Sequence, residues 1–305
     1  MARLLLHIGL PKTGTTTLQS QLYWREQLGS VHYCHFFKKP AVQSRCFANT
    51  VGLGRDAIWD RSSDVYKNRS IPNYVDNIRK VIDEGAETII VSDETLSRID
   101  YVRQPRLRRL LDELDAHCQI EIVMALRPWF SWLESLINQA VKNGVFNFSE
   151  FDADHLTEVN KYAVNLSKTY AFYRYGGQFN PGNKDYPVHI LYQTGNMLED
   201  FEKIVGEPLF DPQQVKTQNK SPTVVQSLTR YFESKSFHVD LIGEREFSSF
   251  ISRGQAETLY KNNRHWMTLF DQLAGAGRYI DDFESFMDKA DDTGAINFVQ
   301  SLVTD

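Results

Sequence analysis

Residues 4–17 read LLLHIGLPKTGTTT, and the way this stretch changes character decides the fold. An apolar run, Leu4–Ile8, stops at Gly9 and passes through Pro11, Lys12 and Thr13 into Gly14-Thr15-Thr16-Thr17-Leu18-Gln19. That order predicts a buried strand, a tight loop and the first turn of a helix. Such a junction aims several backbone N–H groups and the positive end of a helix dipole at one point, where an anion, most often a phosphate, is the natural occupant. The nucleotide-hydrolase loop reads G-x-x-x-x-G-K-[ST]. Gly9 and Gly14 have its glycine spacing, but Thr15 follows Gly14 and the lysine is Lys12, inside the loop. The junction suits phosphate and departs from the ATP/GTP pattern at its diagnostic position.

Three further apolar runs have the length of buried strands: Thr88–Ser92 (TIIVS), Ile120–Leu126 (IEIVMAL) and Val188–Tyr192 (VHILY). Between them Tyr74–Glu84 and Leu107–His117 carry apolar residues at helical spacing. Strands alternating with helices predict an α/β fold of three layers, a central parallel sheet flanked by helices. Ligands collect at the carboxyl ends of such strands, which directs attention to GLPKTGTT, SDETLSR, RPWFSWLES and QTGNM. Residues 37–73 are polar with little periodicity and read as an irregular acceptor-side insertion, and 176–187 read as a turn-rich loop. From 221 to 305 the pattern is mostly helical, with a helix expected over Phe247–Leu273 whose Tyr260, Trp266 and Phe270 form a packing stripe. The chain, 305 residues long, is expected to be a single domain.

The formal net charge of −5 argues against a general nucleic-acid binder, though a local basic pocket remains compatible with it. Three scattered cysteines, Cys34, Cys46 and Cys118, make neither a disulfide framework nor a cysteine-rich zinc site, and no metal is expected. MARLLLHIGL lacks the length and cleavage residues of a signal sequence, and no run approaches the ~18 apolar residues of a membrane span. The expectation is a soluble, cytoplasmic protein.

Arg127 ends the third of these runs, and Ser135 lies eight residues on, about two turns into the next helix. Pro128 suits the helix entry. An arginine at a strand end and a hydroxyl on the following helix can close on one phosphate, the arginine supplying forked donors. The bland alternative is a surface arginine.

These motifs, a strand followed by PKTGTTTLQ and a later strand ending in Arg with Ser eight residues beyond, resemble the PAPS-dependent sulfotransferases, in which PAPS is 3′-phosphoadenosine 5′-phosphosulfate. VHILYQTGNMLEDFEKIVGEP and QNKSPT (218–223) are similar, more weakly, to the strand, helix and loop that follow the core in bacterial carbohydrate-type members. The resemblance implies that Lys12, Thr13, Gly14, Thr15, Thr16 and Thr17 hold the 5′-phosphosulfate and that Arg127 and Ser135 hold the 3′-phosphate. It implies a sulfuryl transfer to a hydroxyl on a carbohydrate, glycan-like or small-molecule acceptor, leaving PAP, the 3′,5′-bisphosphate. Lys12 then stabilises the charge that grows on the leaving 5′-phosphate.

The acceptor hydroxyl needs a base. Glu94, in Ser92-Asp93-Glu94-Thr95, is the first candidate by analogy with carbohydrate and tyrosylprotein sulfotransferases, with Asp93 beside it. His35 and His32 follow, because the small-molecule enzymes use a histidine. Glu94 also reads as a helix N-terminal acid, and His7 as a core histidine. Arg98, Arg103, Arg106, Arg108 and Arg109 form a basic cluster that reads first as a solvated helix face and second as a groove for an acidic or sugar acceptor. Trp129, Phe130 and Trp132 sit at core spacing. Two other readings stand beside the sulfotransferase: a P-loop kinase or NTPase, which needs a lysine after Gly14, and a non-catalytic PAP-binding module.

Overall fold

The computed structural model describes residues 1–9, 14–23, 27–34, 71–97, 105–148, 167–176, 184–193, 197–210, 222–235, 246–274 and 281–304. They fall into two compact units. One comprises Met1–Arg127 with Lys168–Gln218, the other Pro128–Ser167 with Asn219–Asp305.

The first unit is built on a sheet whose strands are β1 (Ala2–Gly9), β2 (Gln27–Leu28), β3 (Val31–Tyr33), β4 (Thr88–Ser92), β5 (Cys118–Leu126) and β6 (Val188–Tyr192). Their spatial order is β2-β3-β4-β1-β5-β6. The five strands from β3 to β6 run parallel, and β2 adds an antiparallel edge. Helices α1 (Thr15–Tyr23), α2 (Ile71–Asp83), α3 (Pro105–Asp115) and α5 (Met197–Val205) surround it. The four predicted strands are all present. Parallel strands covered on both faces must be apolar throughout, which is why β4 is buried at every position.

Alternation along β1 divides its side chains between two faces. Leu5 joins Ile90, Val123, Ala125 and Leu191 in one core, closed by Leu18 and Leu22 of α1 and Met197, Phe201 and Val205 of α5. Leu4, Leu6 and Ile8 are equally buried, as are Leu107, Leu110, Leu111 and Leu114 of α3, which packs on β5.

The expectations need three corrections. The β2–β3 hairpin is absent from the expected elements, because two- and three-residue strands are too short to display a period of two. Helix α2 begins at Ile71, inside the stretch read as irregular, since Pro72 in a first helical turn costs no hydrogen bond. Residues 37–70 of that stretch, and 177–183 of the predicted turn-rich loop, lie outside the described residues.

The second unit contains α4 (Trp129–Lys142), α6 (Val224–Ser234), α7 (Arg253–Ala274), α8 (Asp281–Met287) and α9 (Gly294–Thr304). The third correction lies here: the helix expected from Phe247 starts at Arg253. Ser252 and Gln255 make a reciprocal cap, Gln255 N–H donating to Ser252 Oγ at 3.2 Å and Ser252 N–H to Gln255 Oε1 at 2.8 Å. The preceding N–H groups of Ser248 and Ser249 go to the Asp291 carboxylate, and those of Phe250 and Ile251 to Glu134. With its donors engaged elsewhere, 248–251 does not join the helix. Phe130 and Trp132 are buried as expected, Phe130 stacking on Phe286 with ring centroids 4.9 Å apart. Tyr260 stacks on Phe283 at 3.9 Å. The side chains of Trp266 and Phe270 lie outside the described residues.

Candidate functional site

The strand order contains a switch at its centre. β1 leads by α1 to the β2–β3 side of the sheet, whereas β5 leads towards β6 on the other side. Neighbouring strands whose connections diverge leave a crevice at their carboxyl ends, where ligands of open α/β sheets bind. β1 and β5 are such a pair, in register from Ala2↔Cys118 to Gly9↔Ala125. Gly9, the last residue of β1, and Arg127, the residue after β5, therefore lie at the same end of adjacent strands.

Lys12 and Thr13 lie outside the described residues. Gly14 opens the helix: its carbonyl accepts from Thr17 N–H at 2.9 Å and from Leu18 N–H at 3.3 Å. Its φ of +80° is left-handed, and a Cβ there would stand 3.1 Å from both Sδ and Cε of Met197 and 3.4 Å from Cγ of Gln193. The left-handed turn favours glycine here, and a Cβ would in addition press on the flexible end of Met197. Thr15 is buried, Thr17 half-buried and Thr16 exposed. Three threonines, Thr15 to Thr17, thus make up the first turn of the helix that follows β1 in the chain.

Arg127 follows β5 and is half-buried. Gln193 N–H donates to the Leu126 carbonyl at 2.7 Å, extending the β5–β6 ladder so that Gln193 stands beside Arg127. Gln193 Oε1 is buried and has no hydrogen-bond partner among the described residues. The carboxyl-end rule points to QTGNM without selecting this residue. Ser135 belongs to α4 of the second unit, where it is 8% exposed. Pro128 caps that helix, its carbonyl accepting from Trp132 N–H at 2.8 Å.

Of the candidate bases, Asp93 is fully buried, and its N–H donates to the His7 carbonyl at 2.9 Å. Tyr74 and Tyr173 are both held above the usual phenol range, first by burial and further by negative charges that include Asp93. Glu94 opens the 3₁₀ turn Glu94–Ser97, and its side chain lies outside the described residues. His35 also lies outside them, and His32 sits half-buried on β3.

His7 belongs to the core, as expected. Its Nδ1 is 2.7 Å from Ser92 Oγ, and Gln19 Nε2 donates to the same oxygen at 3.0 Å. Burial pushes its imidazole down to about 3, so it is neutral at physiological pH. On α3, Arg108 pairs with Asp112 and Arg109 with Glu113, four residues ahead on an exposed face. That is the solvated-face arrangement for these two. Arg98, Arg103 and the side chain of Arg106 lie outside the described residues.

Among the described residues no group of His, Cys, Asp and Glu side chains is placed to hold a metal ion, and no helix is long and apolar enough to cross a membrane. No protein-family model matches the chain, and no curated protein matches it.

Proposed function

We propose that the chain is a PAPS-dependent sulfotransferase acting on a hydroxyl-bearing acceptor of carbohydrate or glycan-like chemistry. The observation that carries this reading is the glycine-opened helix start that follows β1 in the chain, with Arg127 directly after the neighbouring strand β5, at the switch point of the sheet. Its donors suit a nucleotide with anionic groups at two positions. The lysine belongs to the loop and does not follow the second glycine.

In this reading Lys12, Thr13, Gly14, Thr15, Thr16 and Thr17 hold the 5′-phosphosulfate. Arg127 and Ser135 each contribute to the 3′-phosphate. The acceptor oxygen attacks sulfur in line with the bridging oxygen. A new S–O bond forms, the bridging S–O bond breaks, and its electron pair stays on the 5′-phosphate of PAP. Lys12 stabilises that charge. The acceptor proton passes to a base, for which Glu94 is the first choice, Asp93 the second and His35 the third. The complete burial of Asp93 favours Glu94. The residues carry the chemistry without a metal, and a cytoplasmic location accords with it.

Two measurements on the full chain test the proposal. Adenosine 3′,5′-bisphosphate should bind in the absence of magnesium, by calorimetry or thermal shift. Labelled PAPS should transfer one sulfuryl group, read as a mass gain, to a member of a panel of sugars, glycans and small hydroxyl compounds. No binding and no transfer overturns the reading. Magnesium-dependent binding of ATP in place of the bisphosphate would establish the P-loop kinase instead. Binding without transfer would leave the PAP-binding module.

A further inference from the structure

Glu134 directly precedes Ser135 on α4, and it is an acid in an unusual position. It is half-buried, and the desolvation of its carboxyl pushes it up to about 7, with the negative charge of Asp291 acting in the same direction. No cation pairs with it among the described residues. What it does have are two consecutive peptide groups: Phe250 N–H donates to Oε2 at 2.8 Å and Ile251 N–H to Oε1 at 3.0 Å. Removing a carboxylate from water is costly, and an apolar side chain could fill the same volume. The one thing the carboxylate adds is a two-point attachment to adjacent backbone donors.

The segment it grips is itself held firmly. Asp291 accepts from Ser248 N–H at 2.7 Å and Ser249 N–H at 3.0 Å, and from Ser248 Oγ at 2.7 Å. The carbonyls of Ser249 and Phe250 accept from Ala295 and Ile296 at 3.1 and 3.0 Å. Gly294 packs so closely that a Cβ would stand 2.5 Å from Ser252 N and 2.7 Å from the Ile251 carbonyl carbon. Residues 248–252 are thus a platform, and Glu134 fastens α4 to it. Successive helical residues differ by about 100° in direction, so fixing Glu134 about the helix axis fixes Ser135 as well.

We propose that Glu134 is a positioning residue for Ser135, its clamp on Phe250 and Ile251 holding the serine hydroxyl in the orientation that takes the 3′-phosphate of the nucleotide. This rests on the nucleotide reading of Ser135. The consequence is specific: the clamp governs discrimination between adenosine 3′,5′-bisphosphate and AMP, which lacks the 3′-phosphate, and not affinity for AMP itself.

The test measures both affinities by calorimetry on the full chain. Glu134→Gln keeps the shape but offers one acceptor and an opposed NH₂. It should lower the preference for the bisphosphate roughly tenfold, the scale of one lost hydrogen bond to a charged group, with AMP binding unchanged. Glu134→Asp, charged but one methylene shorter, should fall between. Asp291→Asn loosens the platform but leaves both Glu134 acceptors on Phe250 and Ile251, and should lower the preference less than Glu134→Gln. In the unaltered protein, the reciprocity of coupled binding requires that the bisphosphate, and not AMP, slow hydrogen exchange at Phe250 and Ile251. That readout holds even if no variant folds. An unaltered protein that does not distinguish the two nucleotides overturns the nucleotide reading itself. If the unaltered protein discriminates, an undiminished preference in Glu134→Gln, an equal loss in Asp291→Asn, or unchanged exchange at the two amides overturns the positioning role alone.

Discussion

The Arg3 guanidinium holds the Glu121 carboxylate with two parallel hydrogen bonds, Nε to Oε1 at 2.8 Å and Nη2 to Oε2 at 3.0 Å. The same guanidinium reaches the last carbonyls of α5, donating to Val205 O at 2.9 Å and Ile204 O at 3.1 Å. His189 Nε2 lies 2.7 Å from Glu121 Oε2. One cluster therefore ties β1, β5 and β6 to the C-terminus of the helix whose first residue, Met197, packs against Gly14. A cation at a helix C-terminus is favourable in its own right.

Glu121→Gln should destabilise the protein by about 1–2 kcal/mol at pH 7, the scale of a lost charged hydrogen-bond pair in a partly exposed setting. The hydrogen bond from Arg3, aided by His189 and opposed by burial, holds the Glu121 carboxyl below its ordinary 4.5. Because the folded value lies below the unfolded one, this stability is complete above the unfolded value and is lost as pH falls through the folded one. Urea melts at pH 7 and pH 3 check it: the gap between the unaltered protein and the variant should narrow at pH 3.

Gly14→Ala combines a left-handed backbone with a Cβ pressed on Met197. We expect a loss of about 1–2 kcal/mol from the backbone alone. Binding of adenosine 3′,5′-bisphosphate should fall disproportionately, because the first-turn N–H groups are displaced. A variant that melts lower but binds normally would remove Gly14 from the anion site.

Two groups, His7 buried and Glu134 half-buried, should shift stability with pH in opposite directions. His7 is held at about 3 by burial, below its unfolded value near 6.5. Its contribution is complete above the unfolded value and is lost as pH falls from there towards 3. Glu134, pushed up to about 7 from 4.5, retains a proton in the folded state where the unfolded chain has lost it, so stability falls as pH rises across that interval and then levels. Melting temperatures from pH 4 to 8 should lose the acid-side rise in His7→Gln and the near-neutral decline in Glu134→Gln. Identical profiles for all three proteins would contradict both assignments.

Lys12→Ala should abolish sulfuryl transfer while weakening binding of adenosine 3′,5′-bisphosphate much less. A cation at the bridging oxygen acts on charge that develops during transfer, not on charge already present in the product. Single-turnover rates with PAPS, set against calorimetric affinities for the product, separate the two effects. A variant with a near-normal rate would place the lysine outside the chemistry.

The four long strands could be read in advance because buried parallel strands have no polar face to interrupt the apolar run. α3 was legible through its leucines, and Gly14 through its spacing from Gly9. Thr15 and Arg127 are candidates by the rule that ligands gather at strand carboxyl ends, and Ser135 by its distance from Arg127. The β2–β3 hairpin was hidden because its pairing, and not its composition, makes it a strand. The start of α7 was hidden because the donors of Phe250 and Ile251 are taken by an acid more than a hundred residues away in the chain.

Sequence alone determined the α/β alternation and the Gly9–Gly14 spacing with its internal lysine, because both are encoded by residues adjacent in the chain. Tertiary structure alone decided the strand order, and with it the switch point between β1 and β5. It also decided the contact of Met197 with Gly14, the burial of Asp93 and the engagement of Glu134 with the platform. Each of these depends on which distant segments share a surface. That is settled by the summed burial of apolar faces and by the satisfaction of polar groups within them, which no local pattern records.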